Sequence, residues 1–110
     1  MSFSLTEFVR SARSAAVETR PVTAVKTLMS QTFADPQSIA KAVGSFSSAD
    51  ECLYEDDEVS VYWVRFAPHE LVPPHNHRMH AFLGVYEGSE VNLLYRQVES
   101  GQLELAKRRV

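Results

Sequence analysis

The chain has 110 residues, of which 45% are hydrophobic and 23% charged, a size and composition typical of one globular domain with a modest core. Its net charge of -3 leaves no broad basic surface, so we expect no nucleic-acid partner. No apolar run is long enough for a signal peptide or a membrane span, which predicts a cytoplasmic protein without a membrane partner. The single cysteine, Cys52, excludes a disulfide framework and a thiolate metal cluster within the chain, and it is interpreted as a half-buried strand residue.

The first residues carry a helix-start signal. Ser4 is suited to accept a hydrogen bond from the amide of Glu7, and Phe3 is spaced to pack against Phe8. Pro21 cannot continue a helix, so the first helix is predicted to end before it.

Two further helices follow in the pattern. Pro21 suits the first position of a second helix, whose apolar residues recur at helical spacing. A short third helix is predicted between Asp35, a favourable cap, and Gly44, which suits the left-handed position after the last turn. Residues 1–44 are therefore expected to form a group of two or three helices.

Residues 51–110 change to short apolar runs separated by turns rich in glycine, aspartate and serine. This pattern predicts an antiparallel meander in the same single domain. Alternating apolar side chains on both faces of one run, residues 59–66, predict that both of its faces are covered, as in a barrel wall or a sandwich. The five predicted strands are Glu51–Tyr54, Val59–Phe66, Ala81–Tyr86, Glu90–Gln97 and Leu103–Lys107.

A histidine cluster lies between the second and third predicted strands. His75 and His77 are two residues apart, so in an extended segment their rings project from the same face and can converge on one ion. Imidazole suits zinc, iron, copper and nickel. The alternative is a pair of surface histidines near a turn. His80 has the wrong parity for the same face unless a turn precedes it, which favours a role in supporting the ligands or lining a pocket, and His69 is interpreted as a solvated loop residue.

The stretch "PPHNHRMHAFLGVYEGSEVNLLYR", residues 73–96, resembles the first conserved motif of the cupin (double-stranded β-helix) superfamily, in which paired histidines precede a strand and a glycine turn. Gly88 stands where that glycine belongs. The run "PHNHRM...GVYEG" is most similar to the bacterial predicted metal-dependent cupins related to cysteine dioxygenase. The resemblance implies a mainly β fold, a cupin-like antiparallel β-barrel or jelly roll, here preceded by the N-terminal helices.

Two departures from the cupin pattern affect this expectation. The glutamate ligand of the motif falls at Ala81, so the resemblance implies the three-histidine type of site, with His75 and His77 as two of the metal ligands. The third histidine of that type belongs to a second motif, but the only histidine after His77 is His80, so the site is expected to be incomplete. About five strands are enough for half of a barrel, which implies either a shortened form of a longer protein or a homodimer joined through an open sheet edge.

The resemblance implies a metal-binding protein similar to non-haem Fe(II) thiol dioxygenases of the cysteine type, acting on a small-molecule substrate, with Zn, Ni or Mn as other divalent metals. Its alternative is a non-catalytic, truncated cupin that works as a binding or structural domain, and a cupin that binds a sugar or another small ligand stays open. Four more side chains could recognise a carboxylate or donate to bound oxygen, although a solvated arginine or a sheet tyrosine is the interpretation that the sequence favours for each: Arg78, Tyr86, Tyr95 and Arg96.

Overall fold

Three helices come first in the computed structural model, which describes residues 2–44, 46, 49–77 and 79–110. They are α1 (Leu5–Ala16), α2 (Pro21–Thr32) and α3 (Pro36–Val43). The predicted group of N-terminal helices is therefore confirmed, with proline at the start of both α2 and α3.

The predicted caps form at the ends of α1 and α3. The Ser4 hydroxyl accepts a hydrogen bond from the Glu7 amide at 3.3 Å, and the rings of Phe3 and Phe8 lie 5.7 Å apart between centroids. Gly44 follows α3 with φ of 71°, a conformation that costs little only for glycine. These contacts satisfy backbone groups that a helix end leaves without intrahelical partners. The helices pack together because α1 lies against α2 and the Phe3 amide donates to the hydroxyl of Ser38 in α3.

Four strands follow, in two separate antiparallel hairpins. β1 (Asp50–Glu55) pairs with β2 (Ser60–Val64), and β3 (Asn92–Gln97) pairs with β4 (Leu103–Arg109). The chain is thus a mixed α and β protein, and the expectation of a mainly β protein is wrong, since the helices contain more residues than the strands. The four strands do not close a barrel within the described residues.

The predicted strand Ala81–Tyr86 is absent, since this segment joins neither hairpin. Its residues still alternate as a strand would: Phe82, Gly84 and Tyr86 are half-buried, whereas Leu83 and Val85 are exposed. Gly84 lies so close to the ring of Phe33, at the end of α2, that a side chain there would overlap the ring. Side-chain packing therefore holds the segment without the backbone ladder that defines a strand.

The run predicted to be covered on both faces is covered on one. Trp63 of β2 is only 8% exposed, and its ring lies 4.8 Å from that of Phe46 between centroids. On the opposite face Tyr62 and Val64 are exposed, as is Phe66 beyond the strand, because a two-stranded sheet has no second layer on that face in the described residues. The same lack of cover leaves Cys52 of β1 exposed, where the sequence predicts a half-buried strand residue.

An ionic contact joins α1 to the turn between β1 and β2. The Arg13 guanidinium lies 3.1 Å from a carboxylate oxygen of Asp56, and the Tyr54 hydroxyl donates to the same oxygen at 2.5 Å. The hydrogen bond from Tyr54, followed by those from the amides of Glu58 and Val59, holds the pKa of Asp56 below its ordinary value. The same bond raises the pKa of Tyr54. The ionised Asp56 carboxylate thereby ties the hairpin to the helices.

The close contact of Gly84 with Phe33 leads to the first prediction. Gly84→Ala should lower the free energy of unfolding by about 1–3 kcal/mol, the usual cost of overpacking a tight contact. Leu83→Ala is the matched control, since Leu83 is 59% exposed and its removal leaves that contact intact. Denaturant titration followed by circular dichroism measures both variants. Equal stability of Gly84→Ala and the parent chain would contradict the packing described here.

The lowered pKa of Asp56 predicts a pH-dependent contribution to stability. This contribution is present above the pKa that Asp56 has in the unfolded chain, and it is lost as the pH falls through the lower pKa of the folded chain. Asp56→Asn should therefore be less stable than the parent chain at neutral pH, and the difference should vanish in acid. Thermal unfolding measured at several pH values tests this, with Asp57→Asn, at the exposed neighbouring position, as the control.

Candidate metal centre

The histidine pair lies in the long connection between the two hairpins, where residues 65–77 and 79–91 contain no helix or strand. Pro73 and Pro74 fix their own φ angles, and the residue before each proline is biased towards an extended conformation, so the chain approaches the pair extended. His75 and His77 are both exposed. Their side chains share one face of the extended segment, as the spacing predicts.

The two imidazole rings turn the same nitrogen towards each other. Nε2 of His75 lies 3.2 Å from Nε2 of His77, and the rings meet edge to face at 77°, with centroids 4.8 Å apart. Two nitrogens bound to one ion at about 2.0–2.1 Å, at angles between square and tetrahedral, are separated by about 2.9–3.4 Å. The observed separation falls in that range, so these nitrogens fit two neighbouring coordination positions of a single ion. It also permits an N–H···N hydrogen bond between two neutral rings.

A backbone contact selects the tautomer of one ring. Nδ1 of His75 lies 2.9 Å from the carbonyl oxygen of Pro73, which can only accept a hydrogen bond. In the neutral ring the proton is therefore assigned to Nδ1, and the lone pair to Nε2. Metal-binding histidines are commonly oriented in this way by a carbonyl that accepts from the other ring nitrogen. His75 is thus prepared to offer Nε2 to an ion.

The pair is not joined by a third protein ligand in the part of the chain that the structure describes, where no group of three histidine, cysteine, aspartate or glutamate side chains could hold an ion. His80 is exposed, and its expected role in supporting the ligands stays a prediction. His69 is exposed in a loop, as predicted, and has a left-handed backbone with φ of 63°. An ion held by the two imidazoles would therefore need its remaining ligands from other groups.

Tyr86 lies near the end of the same connection and has a structural partner that the sequence did not reveal. Its hydroxyl accepts a hydrogen bond from the indole Nε1 of buried Trp63 at 2.6 Å. The only sequence signal for this inward position is the alternation of Phe82, Gly84 and Tyr86, which predicts one buried face without naming its contacts. Tyr86 therefore anchors the connection to β2, and its hydroxyl keeps a proton to donate.

The structure describes two of the other three side chains that the sequence suggests, Tyr95 and Arg96. Tyr95 and Arg96 are exposed on β3, and Arg96 forms a cross-strand ion pair with Glu104 at 3.1 Å. These positions agree with the interpretation that the sequence favours, namely a solvated arginine and a sheet tyrosine. Arg78 lies outside the described residues.

The comparisons with known proteins identify no relative: no family model matches the chain, and no curated protein or solved structure matches it significantly. Among the described helices, none is long and apolar enough to cross a membrane. The geometry of the histidine pair is thus the structural evidence on which a functional proposal can rest.

The bond between Trp63 and Tyr86 predicts the effect of removing one oxygen. Tyr86→Phe leaves a buried indole N–H without its acceptor, which should lower the free energy of unfolding by about 1–3 kcal/mol. Tyr95→Phe, at an exposed position, should have little effect. Because Trp63 is the only tryptophan, its fluorescence reports unfolding of both variants. Equal losses in the two variants would argue against the specific role of the Tyr86 hydroxyl.

Proposed function

We propose that this chain is a cupin-type metal-binding protein that holds a divalent transition metal, Fe(II) first and Zn, Ni or Mn next, through Nε2 of His75 and of His77. The observation that carries the proposal is the 3.2 Å separation of these two nitrogens. It is supported by the hydrogen bond that assigns the His75 proton to Nδ1. The motif "PPHNHRM" around the pair adds the resemblance to metal-dependent cupins.

The two histidines would perform different tasks. His75 offers a lone pair whose direction the Pro73 carbonyl fixes, and His77 supplies the second donor from the same face of the segment. Both rings are exposed, so an ion and a small molecule can reach them from solvent. Two imidazoles occupy two positions and leave the rest open, which is the kind of site that admits a substrate.

Thiol dioxygenation is the second candidate and rests on the resemblance together with the open coordination positions. Fe(II), when bound, supplies the redox chemistry that lets dioxygen react with a small thiol. The chain's own residues would hold the ion and leave one side open to the substrate, with His80 or a second chain completing the ligands. If the ion binds without such activity, the chain acts as a binding or structural domain, the alternative that the sequence raises.

The fold proposal follows the same resemblance. We propose that the two hairpins and the extended segment 81–86 correspond to part of a cupin-like antiparallel barrel. The antiparallel pairing in both hairpins and the alternating burial of residues 81–86 support this correspondence. Extended chain with one inward face is what a barrel strand requires before its neighbours pair with it.

Metal titration tests the main proposal. We expect untagged protein to bind about one Ni²⁺ or Zn²⁺ per chain in isothermal titration calorimetry, because the two donors form one chelate. His75→Ala and His77→Ala should each weaken binding at least as much as loss of a ligand's hydrogen-bond partner does, roughly 10–100-fold. Binding should also weaken in acid, where protons compete for the same lone pairs.

The remaining histidines supply the controls. His69→Ala should bind as the parent chain does, because His69 belongs to a separate turn. His80→Ala distinguishes a site with two histidine ligands from one with three. Weakened binding would show that His80 is the third ligand, and unchanged binding would show that it is not. Equal metal affinity of all four histidine variants would contradict the proposal. Oxygen consumption by the Fe(II)-loaded chain with a small thiol, abolished in His77→Ala, would establish the second candidate.

A further inference from the structure

We propose that β3, extended by Glu90 and Val91 directly before it, is the contact strand of a homodimer. In this dimer the two copies pair antiparallel about Leu93 and place Glu90 of each chain opposite Arg96 of the second copy. The proposal extends the sequence expectation of a dimer through an open edge to one strand, one register and one ion pair. It does not depend on metal binding.

β3 has an open edge. β3 pairs with β4 along one edge, and in the described part of the chain no strand pairs along the other. A strand edge presents unpaired amide and carbonyl groups, which readily pair with another strand. The segment before β3 does not shield this edge as a strand, because residues 81–86 are held by Phe33 and Trp63 instead.

One face of this edge carries apolar side chains. Val91, Leu93 and Tyr95 are 51%, 46% and 41% exposed, and their spacing of two places them on the same face. Pairing about Leu93 places Val91 opposite Tyr95 of the second copy, and Leu93 opposite its own equivalent. Contacts between a β-branched and an aromatic side chain are among the favourable cross-strand pairs.

The other face of this edge carries one acidic and one basic side chain, Glu90 and Arg96. Glu90 accepts a hydrogen bond from the side chain of Asn92 at 3.0 Å, and the Arg96 side chain, paired with Glu104, remains 65% exposed. In the register centred on Leu93, the carboxylate of Glu90 and the guanidinium of Arg96 are directly opposite, twice in a twofold dimer. A centre one residue away would place Arg96 opposite Asn92 or Gly88, without an ion pair. Charge complementarity therefore selects a single register.

The edge of β4 is less suited to this pairing. β4 carries Lys107, Arg108 and Arg109 in succession, and charged side chains on an edge strand, lysine above all, discourage its pairing with another strand. Its pairing with β3 also shifts register, because Lys107 is opposite Leu94 and Leu105 is opposite Tyr95, which leaves Ala106 as an extra residue on β4. Such irregularities twist a strand and hinder further pairing. The regular and nearly neutral outer edge of β3 is the better match for a second copy.

Charge reversal tests the proposal with the full chain. The parent protein should sediment as a dimer at micromolar concentration in analytical ultracentrifugation. Glu90→Arg and Arg96→Glu should each raise the dimer dissociation constant about tenfold or more, because each reversal makes both twofold-related pairs repulsive. Glu104→Gln is the control, since it removes the ion pair of Arg96 within one chain and leaves the contact between chains.

Mixing the two variants distinguishes this contact from an effect within one chain. In a mixed dimer the arginine introduced at position 90 of one variant faces the glutamate introduced at position 96 of the other. The remaining pair is the natural one, so equimolar mixing should restore dimers. The double variant Glu90→Arg/Arg96→Glu should dimerise as well. The proposal is overturned if the parent chain stays monomeric, if both single variants dimerise as tightly as the parent, or if mixing restores nothing.

Discussion

The tertiary arrangement depends on Trp63, the one large aromatic side chain that the structure buries almost completely among the described residues. Its ring packs on Phe46 after the helices, and its indole N–H is bonded to the Tyr86 hydroxyl at the end of the histidine-bearing connection. A single side chain thus joins β2 to the segments on both sides of it. The buried set is otherwise small, namely Ala12, Ala15 and Ile39, so loss of this one polar contact has large consequences.

The small number of buried side chains explains why the histidine pair is exposed and locally oriented. The connection is held near its end by Tyr86 and Gly84, whereas His75 and His77 lie on an exposed extended stretch before those anchors. Their mutual orientation comes from local geometry, namely the spacing of two and the Pro73 carbonyl. The proposed binding of an ion would need only the two rings and no surrounding pocket, whereas a substrate site needs additional walls. A second copy joined through β3 would add protein surface, although the metal proposal stands without it.

Local signals made much of the helical part predictable. The Ser4 and Asp35 caps, the prolines that open α2 and α3, and Gly44 act within a turn of their positions, and all occur as expected. The predicted five-stranded meander forms only in part: two antiparallel hairpins occur, since turn residues and alternation are local signals, but they are not joined into one sheet. Alternation predicts a strand over residues 81–86, but alternation alone cannot show whether a partner strand is adjacent. In the same way, spacing predicts that His75 and His77 share one face but cannot give the tautomer of His75.

Local signals predict the starts of the three helices, antiparallel pairing in the strand-rich part and the shared face of the histidine pair, because each depends on residues close together in the chain. Three features appear only in the folded chain: which faces are covered, the contact of Gly84 with Phe33, and the hydrogen bond from Trp63 to the Tyr86 hydroxyl. Those contacts join residues far apart in sequence, so they depend on how the elements pack. The chemistry of a residue fixes its hydrogen-bonding capacity and its apolar surface, whereas the fold fixes which other residue it contacts.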